Sequence, residues 1–254
     1  MNILFIGDII GRPGRTHVRD NLAFVMDKYN IDFVIANGEN ASGGLGITQE
    51  TYKELISMGI DVITLGNHAW SKRDTAEFIV GKTNIIKPAN FSNLTPGKGY
   101  TIIEKNKKRV CVINLSGRVF LDCCLCPFVT VDRILDEVKG KTDYIIVDIH
   151  AEATSEKIAL GHYLNGRATA VIGTHTHVQT ADEKILSEGT AYLTDAGMTG
   201  PHDSVLGVDK NIIIKKFLDG MPAKFDVAKE DVHWGAVVVT ADDYGKAVSI
   251  KRLQ

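Results

Sequence analysis

The chain has 254 residues, and its 44% hydrophobic content is enough to fill the core of one large α/β domain, read as a single unit over residues 1–254. Its 29 Lys and Arg nearly balance 31 Asp and Glu, and the formal charge of -2 argues against a polyanion-coating or membrane-surface protein. The first apolar run is cut by Gly7-Asp8 and lacks a basic leader and a cleavage site, and no run reaches transmembrane length, so the expected location is the cytoplasm.

In chain order, Asn2–Ile6 reads as a buried strand ending at Gly7-Asp8, followed by a helix with Val18, Leu22 and Val25 on its apolar face. The spacing of Gly7, Gly11 and Gly14 does not match a dinucleotide-binding fingerprint. Phe33–Ala36 is the second strand, ending in Asn37-Gly38-Glu39-Asn40 and the glycine-rich stretch 42–46. A helix from Thr48 to Met58 and a strand Val62–Leu65 follow, the latter ending in Gly66-Asn67-His68. This alternation predicts a largely parallel sheet with right-handed crossovers. Tyr100–Glu104 and Arg109–Leu115 are expected to pair as a hairpin. Then come a loop from Gly117 to Pro127, a helix to Val138, a strand Tyr144–Asp148 ending at His150, and a helix Glu152–Leu164. The strand Ala168–Ile172 leads into Gly173-Thr174-His175-Thr176-His177. Ala191–Thr194 is a further strand, Gly197–Val208 reads as a long loop, and the last third reads as hairpin strands around Val232–Thr240 and Ala247–Arg252.

Five strand ends thus carry groups that bind metal: Asp8; Glu39 with Asn40; Asn67 with His68; His150; and His175 with His177. Any one of them reads more simply as a turn former, a helix cap or a hydrogen-bonded histidine. In a parallel sheet, however, carboxyl ends share one edge, so the five converge in space. Carboxylates bridge two metals, amide oxygens add neutral ligands, and imidazoles suit Fe, Mn or Zn. Two divalent ions against Asp8, Glu39 and one hydroxide leave a net positive site, suited to an anionic phosphate ester.

The ordered motifs Gly7-Asp8, Gly66-Asn67-His68, His150 and Gly173-Thr-His175-Thr-His177 resemble those of the calcineurin-like metallophosphoesterases over nearly the whole chain. Two positions depart from the usual pattern: Ile10 stands where most members have His, and Glu39-Asn40 follows Gly38 where most have Asp. With the opening Gly-Asp-Ile-Ile-Gly-Arg-Pro-Gly and the later Gly-Met-Thr-Gly-Pro-His-Asp-Ser-Val, these departures resemble a bacterial branch containing 2′,3′-cyclic nucleotide phosphodiesterases. The resemblance implies two packed mixed β-sheets flanked by helices. It implies one ion on Asp8, Glu39, Asn40 and His177, a second on Glu39, Asn67, His150 and His175, and Glu39 as the bridge. One imidazole among oxygen ligands tilts the first ion towards Fe or Mn, with Zn open. His68, beside a ligand, becomes the candidate general acid, and the implied reaction is in-line attack on a phosphodiester by a metal-bridging hydroxide.

Three other readings use the same residues: a phosphomonoesterase, a metal-bound regulatory protein of low turnover, and a two-metal amidase, against which the motif order argues. The substrate expected is a small molecule, with no strong nucleic-acid signature and homo-oligomer formation left open. The 42–46 stretch and Arg12 or Arg118 are candidates for phosphate contact, each balanced by a reading as plain loop or solvated surface. His17, His162 and His233 lack strand-end context and read as structural, and His202-Asp203 is left between pocket and oligomer contact. In the expected cytoplasmic setting all four cysteines should be thiols, and Cys123 and Cys126 have CxxC spacing but no second pair to close a zinc site, so they read as part of a packed or partly exposed loop.

Overall fold

The computed structural model describes residues 1–121 and 124–254. The chain opens with β1 (Asn2–Ile6) and a short β2 (Asp8–Ile9), then α1 (Gly11–Lys28), β3 (Phe33–Asn37), α2 (Gln49–Ser57), β4 (Val62–Thr64), a single turn α3 (Thr75–Phe78) and β5 (Ile85–Ile86). A hairpin of β6 (Tyr100–Lys105) and β7 (Lys108–Ser116) follows, then α4 (Pro127–Val138), β8 (Tyr144–His150), α5 (Thr154–Tyr163), β9 (Ala170–Thr174), β10 (Lys184–Ile185), β11 (Ala191–Leu193) and β12 (Met198–Pro201). The last elements are α6 (Lys210–Asp219), β13 (Val232–His233), β14 (Ala236–Ala241) and β15 (Ala247–Leu253).

Local chemistry sets the boundaries. The Thr48 side chain accepts the Thr51 amide at the start of α2, Pro127 starts α4 where no amide donor is needed, and Asp209 caps α6. The β6–β7 hairpin closes through Asn106 and Lys107, both at positive φ (53° and 63°), the two-residue turn whose twist matches paired strands.

One sheet has the order β15-β14-β1-β3-β4-β5, with β1, β3, β4 and β5 parallel. The second has the order β10-β11-β9-β8-β7-β6, with its four central strands parallel and antiparallel strands at both edges. Ile3, Phe5, Phe33 and Ile35 from the first sheet pack against Val110, Val112, Ile146 and Ile172 from the second. Val18, Leu22 and Leu55 cover the outer face of the first sheet, and Val131, Ile134 and Leu160 cover that of the second. Two mixed sheets between helical layers are the architecture expected from the sequence. No described helix is long and apolar enough to cross a membrane.

Four readings change. Asp8, read as the carboxyl end of the first strand, starts a separate short strand β2, which pairs with β12 in a small third sheet. The stretch 197–208 therefore contains a strand. The 210–219 segment, unassigned from sequence, is α6; its Ile-Ile-Ile run has low helix propensity and only Ile213 is buried, so no apolar stripe announces it. The closing hairpin is β14 with β15, while Val232–His233 joins the third sheet. Cys123 lies outside the described residues; Cys126 sits at the start of α4, and Cys111 is buried, which pushes its thiol up to about 12.

Candidate metal centre

The predicted ligands meet at the carboxyl edges of the two sheets. Asp8 follows β1, Glu39 and Asn40 follow β3, and Asn67 and His68 follow β4. His150 ends β8, and His175 and His177 follow β9. Asp8, Glu39, Asn40 and His150 are buried, and His68, His175 and His177 are partly so. Two glycines make room: a Cβ on Gly66 would stand 2.3 Å from His150 Nε2 and 2.4 Å from Glu39 Oε2, and one on Gly173 would strike the Thr194 carbonyl.

The donor atoms form two groups that share Glu39. In one, His150 Nε2 lies 3.0 Å from Glu39 Oε1, 2.9 Å from Asn67 Oδ1 and 3.0 Å from His175 Nδ1. Ligand atoms of Glu39, His150 and His175 all fall within 4.8 Å of one another. In the other, the Asn40 amide end lies 3.5 Å from Asp8 Oδ1, 3.3 Å from Glu39 Oε1 and 3.2 Å from His177 Nε2, and His177 Nε2 is 3.7 Å from Asp8 Oδ1. His150 Nε2 carries at most one proton but faces three lone-pair atoms. Such crowding of acceptors is the arrangement a cation relieves, so the donor set fits a metal ion.

Each imidazole is fixed from behind. His150 Nδ1 bonds Thr174 Oγ1 at 2.9 Å, and that hydroxyl donates to Asp148 Oδ1 at 2.7 Å. Asp148 also accepts from Thr64 (2.5 Å) and Asn37 (3.3 Å). His175 Nε2 is 3.1 Å from Glu152 Oε2, and His177 Nδ1 is 3.1 Å from the Leu206 carbonyl. These bonds leave His150 Nε2, His175 Nδ1 and His177 Nε2 facing inward.

Burial raises Asp8 and lifts Asp148 to about 6. Burial is the largest single influence on Glu39 and His150 and opposes both charges, but their neighbours together outweigh it: His150 and His68 for Glu39, and Glu39, Asp8 and Asp148 for His150. Glu39 is held well below the usual carboxylate range, and His150 is pushed up to about 9. Burial, then the neighbouring His150 charge, lowers His175 to about 3. Without a cation, the first donor group therefore holds a proton between Glu39 and His150, and a metal ion would displace it.

Comparison with known proteins places the chain. The YmdB-like protein family profile matches residues 4–253. The chain belongs to the YmdB-like protein family. It is 50% identical over 254 residues to the 2′,3′-cyclic-nucleotide 2′-phosphodiesterase of Bacillus subtilis, covering 100% of this chain and 96% of that one. A solved hypothetical protein from Thermus thermophilus superposes with TM-score 0.92 at 41% identity, covering 98% of this chain and 97% of that one. A solved Mycoplasma pneumoniae protein described as a novel phosphatase gives 0.92 at 34% identity, covering 99% and 92%.

The other singled-out residues of this YmdB-like protein divide clearly. The His68 amide donates to Glu39 Oε2 at 3.0 Å, and its Nε2 lies 3.3 Å from Asn67 Nδ2, so the ring adjoins the first donor group. In the 42–46 stretch, Gly43, Gly44 and Gly46 have positive φ, and the Ser42 hydroxyl donates to Thr51 at 2.7 Å. Arg12 and Arg118 are exposed, and the Arg118 amide bonds Glu156. His17 packs edge-on against Trp234, His162 is exposed in the last turn of α5, and His233 bonds Asp231 at 2.6 Å. His202 meets His233 edge to face, and Asp203 pairs with Lys210 at 2.6 Å. Sequence reasoning missed Asp148, Thr174, Glu152 and the Leu206 carbonyl; a carboxylate inside the apolar run Tyr144–Ile149 was a usable signal for Asp148.

Proposed function

We propose that this chain is a dinuclear-metal phosphodiesterase acting on small phosphate diesters, with 2′,3′-cyclic nucleotides such as 2′,3′-cyclic AMP as the substrate class. The observation that carries the reading is the pair of donor groups meeting at Glu39. One would be an ion site of Asp8, Glu39, Asn40 and His177; the other would use Glu39, Asn67, His150 and His175. A divalent pair bound there would supply Lewis acidity towards phosphoryl oxygens and a nucleophile near neutral pH. The oxygen-rich first site favours Fe or Mn. The name of the Bacillus subtilis relative supports the choice of cyclic nucleotides.

The chain's own residues supply orientation and a proton. Glu39 fixes the His68 backbone through the amide bond at 3.0 Å, and Asn67 faces His150 with its oxygen and His68 with its nitrogen. His68 is assigned as the acid that protonates the departing ribose oxygen, a poor leaving group unless it is protonated as the bond breaks. Residues 1–254 would act as one domain, in the cytoplasm.

The test combines elemental analysis of protein purified without chelator with a substrate panel of cyclic nucleotides, linear diesters and monoesters. About two transition-metal ions per chain and cyclic nucleotides opened to monophosphates are expected. Rapid monoester turnover with no diester turnover would transfer the site to a phosphomonoesterase, the reading favoured by the phosphatase description of the Mycoplasma pneumoniae relative. Failure on the whole panel with both ions bound would favour a regulatory role.

A further inference from the structure

The loop after β9 bends through backbone that residues with a Cβ seldom adopt: φ is 99° at His175 and 65° at His177. Two such residues flanking one position must be held by their surroundings. The hold falls on Thr176 between them. Its amide and its hydroxyl both donate to Asp195 Oδ2, at 3.1 and 2.6 Å. Lys157 Nζ reaches the same oxygen at 2.6 Å, and the Gly197 amide donates to Oδ1 at 2.8 Å. Both Lys157 and Asp195 are buried. The next residues continue the grip: the Met198 amide donates to the His177 carbonyl at 3.0 Å, and the Asp8 amide donates to the Gly197 carbonyl at 3.1 Å.

We infer that Thr176, Asp195 and Lys157 form a positioning clamp that holds the His175–His177 loop in its strained shape and sets both imidazoles towards the donor groups. None of the three belongs to the ligand set, and the metal part of the inference rests on the site assignment above. Asp195 collects four donors, and Lys157 offsets its charge, so the buried pair is hydrogen-bonded as well as charge-compensated. The segment 195–198 grips the histidine loop on one side and the Asp8 backbone on the other. It thereby fixes groups from both sheets relative to one another.

The Thr176 hydroxyl is the part that can be removed without unpairing Lys157 from Asp195. Thr176→Val keeps the shape and deletes the hydroxyl, and Thr176→Ser restores it. Two readouts on the full chain test the clamp: hydrogen exchange at the Met198 amide in chelator-treated protein, and Mn²⁺ affinity by calorimetry. Thr176→Val should speed that exchange about tenfold or more with the global melting temperature little changed. It should weaken Mn²⁺ binding about 10–100-fold, and Thr176→Ser should restore both. Unchanged exchange in Thr176→Val, or equal loss in Thr176→Ser, overturns the clamp. Faster exchange in Thr176→Val beside a wild-type chain that binds no Mn²⁺ keeps the clamp and overturns the metal assignment instead.

Discussion

The two most contrasting regions of the molecule are the shared carboxyl edge of the sheets and the arm 209–226. At the edge, polar groups are buried and joined through chains of hydrogen bonds, as in His150 to Thr174 to Asp148. In the arm, Phe217 (84% exposed), Leu218 (82%) and Met221 (62%) stand in solvent. The arm leaves and returns through one short bridge, Val208 with Val227, and the bond from the Asp209 amide to the Asp226 carbonyl. A buried polar group that loses its partner is costly, so the hydrogen-bonded edge has little freedom to vary. The arm lacks that constraint, and substitutions should be felt far less there.

The largest effect should come from His68→Ala at the edge. Losing a positioned general acid costs about 10²–10⁴ in rate. The variant should keep its metal and lose most turnover of a cyclic nucleotide. A p-nitrophenyl ester should suffer much less, because p-nitrophenolate departs without protonation. Equal losses on both substrates with metal content intact would remove His68 from the proton-transfer role.

One step further from the chemistry, Thr174→Val should weaken metal binding about 10–100-fold, because it breaks the link that fixes the His150 ring. Thr174→Ser, which keeps the hydroxyl, should bind near wild type. Calorimetric Mn²⁺ titration of the two variants separates ring orientation from general damage. Comparable affinity in both would mean that the hydroxyl does not orient the ring.

The candidate donor residues were legible as strand-end groups and their supports were not, for a physical reason. A parallel sheet aligns its strand ends, so Asp8, Glu39 and Asn67 could be grouped from strand order, and His150 with His175 likewise; that these are the edges of two separate sheets facing one another was not in the strand order. The supports come from register and loop packing: Thr174 meets His150 because β8 and β9 pair those two residues, and the Leu206 carbonyl reaches His177 from a distant loop. Neither leaves a periodic trace. Most of the strands and helices were legible for the opposite reason, since alternating apolar strands and amphipathic helices repeat their pattern along the chain, whereas their division into two packed mixed sheets was implied by the family resemblance. The arm failed as a reading because α6 buries only Ile213 and so has no apolar stripe to report.

A smaller effect concerns stability without metal. The His150 imidazolium is favoured by Glu39 against the opposing pull of burial, so its pKa of about 9 lies above the ordinary 6.5. A group whose folded pKa is raised stabilises fully below the unfolded value, and that contribution is lost as pH climbs through the folded value. Chelator-treated protein should therefore lose on the order of 1–3 kcal/mol between about pH 6.5 and 9. A metal ion held at the proposed site would displace the proton, so the loaded protein should not show this loss. Thermal melts across the window, with chelator and with Mn²⁺, check both halves. Stability rising with pH in the chelated sample would contradict the Glu39–His150 pairing.

The smallest effect is expected in the arm, and it tests the comparison from its other end. Phe217 projects from the last half of α6, where Asp209 caps the start and Gly220, at φ 69°, closes the end. The caps and the bridge at Val208–Val227 hold the arm, while Phe217 keeps 84% of its surface in water. Little apolar area is removed from water there, and exposed substitutions away from caps usually fall within about 0.5 kcal/mol. Phe217→Ser should then leave both the chemical-denaturation midpoint and cyclic-nucleotide turnover near wild type. Ile213→Ser, at the one buried position of the helix, should cost about 2 kcal/mol or more by placing a hydroxyl against an apolar surface and leaving a void. A Phe217→Ser loss as large as that of Ile213→Ser would mean that the arm is held by its exposed face, and the contrast with the edge would fail.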